Sequence, residues 1–107
     1  LNILQWSATI KKISKSKYES LIDEIKALAI KKNHDYGPEN ISYLGEKGCF
    51  VRISDKVNRL KHLVWEEDNK NPQVLDETVE DTLIDLANYA LITILLMRKH
   101  WGNEDTF

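Results

Sequence analysis

Apolar positions recur at helical spacing in three stretches of the chain. Tyr18, Leu21, Ile22, Ile25, Leu28 and Ala29 predict an amphipathic helix from about Ser16 to Asn33. It runs into Asn33-His34-Asp35-Tyr36-Gly37-Pro38, a strong helix stop, and a loop is expected as far as Gly48. Ile53, Val57, Leu60 and Val64 form the core stripe of a second helix from about Cys49 to Trp65, with Asp55, Arg59 and His62 on the opposite stripe. Glu66 to Asn71 and Pro72 read as a polar connection. The third helix begins near Asp76, expected as its N-cap, and runs to about His100. From Leu83 to Met97 it is oily almost all the way round, interrupted by Asp85 and Asn88.

No segment alternates with period two, so no sheet is expected. Residues 1–14, with Trp6 and Ile10, form a short helix or a strand-like arm, and residues 101–107 a frayed tail or one docked through Trp101. The expectation is one all-α domain over 1–107: an antiparallel bundle of three long helices plus a short N-terminal element. A helix apolar on every side is hard to cover in a monomer, so a homodimer or higher homo-oligomer is expected to complete the core.

Composition narrows the function classes. Charged residues make up 30% of the chain, yet the net charge is only −2. No strongly basic face is implied, so duplex nucleic acid is not an expected partner. Cys49 is the single cysteine, which excludes an intrachain disulfide framework and a cysteine-rich zinc site and suits a reducing, cytoplasmic location. No signal peptide is visible. The apolar stretch from Leu83 to Met97 is shorter than the ~20 residues of a membrane span and carries Asp85, so no membrane partner is expected.

Asp81, Asp85 and Asn88 stand at i, i+4 and i+7 and share one helical stripe. Acids early in a helix complement its dipole, which accounts for Glu77 and Glu80 but not for Asp85, about two turns further in. A carboxylate in an apolar helix needs a partner. One candidate is a lysine or arginine, such as Lys56 or Arg59. The other is Mg²⁺, a hard cation that takes carboxylate oxygens, water and phosphates; Asp81, Asp85 and Asp55 would be its ligands. As plain structure, Asp55, Lys56 and Arg59 form a solvated charged face. Residues 31–40 are a helix end with lysines and a turn, and they also offer phosphate-binding cations and amides, with Tyr36 to stack on a base. His34, His62 and His100 lack metal-ligand spacing, and no phosphate-binding glycine loop is present.

Three blocks in order, Lys-Lys-Asn-His-Asp-Tyr-Gly-Pro-Glu-Asn (31–40), Val-Arg-Ile-Ser-Asp-Lys-Val-Asn-Arg-Leu-Lys (51–61) and Glu-Asp-Thr-Leu-Ile-Asp-Leu-Ala-Asn-Tyr-Ala (80–90), resemble the nucleotide-modification-associated domain family of phage and bacteria. That family lies within or near the all-α NTP pyrophosphatase (MazG-like) superfamily. The resemblance covers about residues 18 to 97.

The resemblance implies a Mg²⁺-dependent nucleoside triphosphate pyrophosphohydrolase. It would cleave a (deoxy)nucleoside triphosphate to the monophosphate and pyrophosphate in nucleotide-pool control or nucleotide modification, in bacterial or phage-infected host cytoplasm. The alternative is a non-catalytic nucleotide-binding or regulatory module on the same fold. Carried over residue by residue, Asp55, Asp81 and Asp85 hold metal, and Asp55 or Asp85 orients or deprotonates the attacking water. Lys32, Asp35, Tyr36, Asn40, Lys56, Arg59 and Asn88 contact substrate. Two departures stand out. Asp81 and Asp85 are four residues apart where the superfamily's acid pair is three apart, and Arg52, Asp55, Lys56 and Arg59 replace its second-helix glutamates. One metal, or a metal arriving with the nucleotide, is therefore expected.

Overall fold

A computed structural model describes residues 12–37, 39–65 and 77–101. The all-α class holds: among the described residues there are three long helices and no strand. The expectations for residues 1–11, for Pro38, for the connection including Pro72, for Asp76 and for the tail beyond Trp101 lie outside the described residues.

Helix α1 spans Lys15–Tyr36. Ser14 caps it, its hydroxyl accepting the Lys17 N–H at 3.4 Å. It ends one turn later than expected, because the break is Gly37 and not Asn33. Gly37 takes φ 82° and donates its N–H to the Asn33 carbonyl at 2.8 Å.

Helix α2 spans Glu39–Leu60, so most of the expected loop before Cys49 is helical instead. Ile41 and Leu44, one turn apart, give that first piece an inward face. A single break falls at Gly45 (φ 65°, ψ −174°), a conformation open in practice to glycine alone. The last turn, Lys61–Trp65, widens to a π-helix and ends the element where expected. Its packed side is rotated from the expected stripe. Cys49, Ile53, Lys56, Leu60 and Leu63 face inward to varying degrees, whereas Val57 and Val64 are exposed.

Helix α3 spans Val79–Met97. Its N-cap is Thr78, in place of Asp76. The Thr78 hydroxyl accepts the Asp81 N–H at 3.1 Å, and the Asp81 carboxylate accepts the Thr78 N–H at 3.0 Å, a reciprocal capping box. Lys99 (φ 58°) ends the helix. Its N–H reaches the Leu96 carbonyl and the His100 N–H reaches that of Leu95, the Schellman pattern.

Helices α2 and α3 pack along each other and α1 docks on α3. Lys56 meets Asp85 and Cys49 meets Thr93, so residue number falls along α2 as it rises along α3. The two are antiparallel. Lys32 reaches Asp85, and Ile25 accepts a hydrogen bond from Asn88, in the same sense. The deepest contacts carry many polar groups. Asn33, Thr82, Asn88 and Thr93 are buried beside Ile41 and Cys49. Tyr18, Leu21 and Ile22 on α1, expected in the core, are exposed, as are Leu83, Leu91, Ile94 and Met97 on α3.

Candidate functional site

A cavity of about 400 Å³ lies where the three helices meet, within the size range of small-molecule sites. Each helix gives it one stripe at helical spacing. Helix α1 supplies Ala29, Lys32, Asn33 and Tyr36. The first piece of α2 supplies Asn40, Ile41 and Leu44, and its second piece Arg52, Asp55 and Lys56. Helix α3 supplies Asp85, Asn88, Tyr89 and Ile92, and Trp101 approaches from beyond its end. Because α2 and α3 run oppositely, charge collects around Lys56 and Asp85. Leu44, Ile92 and Trp101 form an apolar and aromatic remainder.

Asp85 is held by two lysines, with Lys32 Nζ at 2.6 Å and Lys56 Nζ at 3.2 Å. This is the ion-pair partner the sequence left open, with Lys32 added to Lys56. Lys56 also donates to Glu77 at 2.9 Å. Burial pulls the Lys56 ammonium down, but hydrogen bonds to Glu77 and Asp85 and their charges outweigh it, and the net shift is upward. The Lys56 hydrogen bond holds the Glu77 carboxyl below the usual carboxylate range, with Arg59 adding its charge.

Of the residues singled out in the sequence, Lys32, Tyr36, Asn40, Asp55, Lys56, Asp85 and Asn88 converge on this cavity. Three do not line it. Asp35 is exposed, 3.4 Å from His34. Arg59 turns to the start of α3, donating to the Glu77 carbonyl at 2.5 Å and to the Thr82 hydroxyl at 3.3 Å. Asp81 spends its carboxylate on the Thr78 N–H and hydroxyl, and these hydrogen bonds lower its pKa. Its place in the first turn makes it a cap, and it does not line the cavity with Asp55 and Asp85. Asp55 is well exposed and pairs at 4.0 Å with Arg52.

These residues do not fit a resident Mg²⁺ cage. Among the described residues no three acids, histidines or cysteines gather as ligands. Asp85, the innermost carboxylate, already balances two ammonium groups, and a cation there would face both of them. The lining holds more cations (Lys32, Arg52, Lys56) than carboxylates (Asp55, Asp85), a balance that suits an anion.

Sequence reasoning missed Asn33, Arg52, Tyr89 and Trp101. Asn33 and Tyr89 had a legible signal: each falls at i+4 or i+3 from another lining residue, Asn33 from Ala29 and Tyr89 from Asp85 and Ile92. Trp101 was expected only as a residue through which the tail docks, and its place at the cavity depends on how the chain turns after Lys99.

Residues 32–97 match the family described as nucleotide modification associated domain 1, and the chain belongs to that family. The match takes in every cavity residue except Ala29 on α1 and Trp101. No curated protein and no solved structure matches the chain. No helix among the described residues is long and apolar enough to cross a membrane.

Proposed function

We propose that this member of the nucleotide modification associated domain 1 family binds a nucleoside triphosphate in the three-helix cavity. The observation that carries the proposal is the pairing of Lys32, Arg52 and Lys56 with Tyr36, Tyr89 and Trp101 around one cavity. Cations offer charge-assisted hydrogen bonds to phosphate oxygens, and aromatic faces stack on a base. An incoming polyphosphate competes with Asp85 for Lys32 and Lys56, so its negative charge takes the place of an interaction already present. A thermal shift measured with the four deoxynucleoside triphosphates, with and without Mg²⁺, tests the site. A rise in melting temperature that also appears with inorganic tripolyphosphate supports it; no shift with any of them overturns it.

A second reading, pyrophosphate release as in the MazG-like superfamily, is favoured by one observation. Asp55 and Asp85 line the same cavity as the cations, so a carboxylate is available beside them to orient a water for attack on a phosphate. Any divalent ion would arrive as part of the nucleotide complex. In this reading Asp85→Asn abolishes pyrophosphate release in a Mg²⁺-containing assay while helix content stays intact. Wild-type protein that binds nucleotide yet releases no pyrophosphate leaves the binding or regulatory module as the function.

A further inference from the structure

Most buried polar side chains around the cavity make a hydrogen bond of their own, and among the described residues no sealed side-chain nitrogen or oxygen is left without a partner. The Thr82 hydroxyl donates to the Thr78 carbonyl at 2.9 Å, and Thr93 to that of Tyr89 at 2.6 Å. Asn88 donates its Nδ2 to the Ile25 carbonyl at 3.3 Å. Asn33 is 8% exposed and lines the cavity, yet its side-chain amide makes no hydrogen bond among the described residues. Its backbone carbonyl, which caps α1 by accepting the Gly37 N–H, would do so with any side chain. The side chain is mostly covered, between Ala29 and Ile41 in the cavity lining, while its amide is left free to take a partner from outside the protein.

The amide is not sealed in. No buried side-chain nitrogen or oxygen among the described residues is both closed to solvent and unpartnered, so the Asn33 amide keeps access to solvent, and the residue lines the cavity. A ligand group entering the cavity can therefore satisfy them. A primary amide presents a donor and an acceptor side by side in one plane. Its complement is a planar edge with an adjacent acceptor and donor, which nucleobases carry. Lys32, the preceding residue on α1, faces the charged end, so phosphates and base would fall on adjoining parts of one stripe.

We infer that Asn33 hydrogen-bonds the base of the nucleotide and sets which base the cavity prefers, an inference that rests on the nucleotide site proposed above. Trp101 and the cavity's tyrosines flank the base by stacking, which every base accepts, so discrimination falls to side-chain amides. Of the three in the lining, Asn88 already donates to Ile25 and Asn40 is exposed.

The test is titration calorimetry of the full chain and two variants with the four deoxynucleoside triphosphates and with inorganic tripolyphosphate. Asn33→Ala is expected to weaken the preferred nucleotide about tenfold or more, the scale of losing one hydrogen bond to a buried group, and to leave tripolyphosphate unchanged. Asn33→Asp, nearly the same shape but acceptor-only when ionised, is expected to reorder the four bases, and it carries the test if the alanine variant loses helix content. Folded variants that bind and rank the nucleotides as wild type does overturn the inference while the nucleotide site stands. Wild-type protein that binds neither nucleotide nor tripolyphosphate overturns the site and the inference together.

Discussion

Asp85 is a carboxylate among leucines and isoleucines, and its sequence context demanded a partner without saying which. Two ammonium groups fill that role, at 2.6 and 3.2 Å. One of them, Lys56, was legible as a candidate; Lys32 was not, since it comes from a helix more than fifty positions away. The pairing predicts that Asp85→Asn frees Lys32 for anions and leaves Lys56 held by Glu77 alone. Tripolyphosphate affinity should rise about fivefold, corresponding to about 1 kcal/mol of relieved attraction, and calorimetry would read it; a fall in affinity contradicts the arrangement. Glu77 gives the pH dependence. Its folded pKa is depressed by the Lys56 hydrogen bond first, so its contribution is present above the unfolded carboxylate pKa and lost as pH falls through the lower folded value. Urea unfolding should show stability declining below about pH 5, with a shallower decline in Glu77→Gln. Asp81 shifts in the same direction from its bonds to Thr78.

At the scale of elements, existence and type were readable and boundaries were not. The periodic stripes located all three helices, but the polar run 37–48 reads as loop because Gly37, Gly45 and Gly48 punctuate it. Only Gly37 and Gly45 leave the helical conformation, and between them Glu39 to Leu44 forms the short helix that gives Asn40, Ile41 and Leu44 to the cavity. Gly45 thus sets the angle at which one wall meets the rest. A Cβ built at Gly45 meets nothing within 4 Å, so the cost of Gly45→Ala is backbone strain alone, about 1–3 kcal/mol in denaturant unfolding. Nucleotide affinity should weaken with it, because relieving the strain moves the wall. The α3 cap is a separable feature. Thr78→Ala should lower stability by about 1 kcal/mol, since it removes the hydroxyl that accepts the Asp81 N–H.

For the whole molecule, the all-α class followed from the absence of period-two alternation, but the mutual placement of side chains from different helices did not. Asp81 and Asp85 share a sequence stripe; a capping box claims one and two lysines claim the other. What covers the remaining apolar surface is a question of the same kind. Tyr18, Leu21 and Ile22 on α1 and Leu91, Ile94 and Met97 on α3 remain open to solvent, each 43% exposed or more. Fully burying such a side chain contributes about 1.5–3 kcal/mol, so several of them together rival the whole stability of a small domain. A second copy of the chain, presenting the same surface, is the occupant the sequence led us to expect. Sedimentation velocity should then show a mass that rises with protein concentration. Leu91→Lys combined with Ile94→Glu should return it to that of one chain with helix content retained. A wild-type protein that sediments as a single chain across the concentration range would instead mean that α1 and α3 carry this surface exposed and that the cavity is complete within one chain.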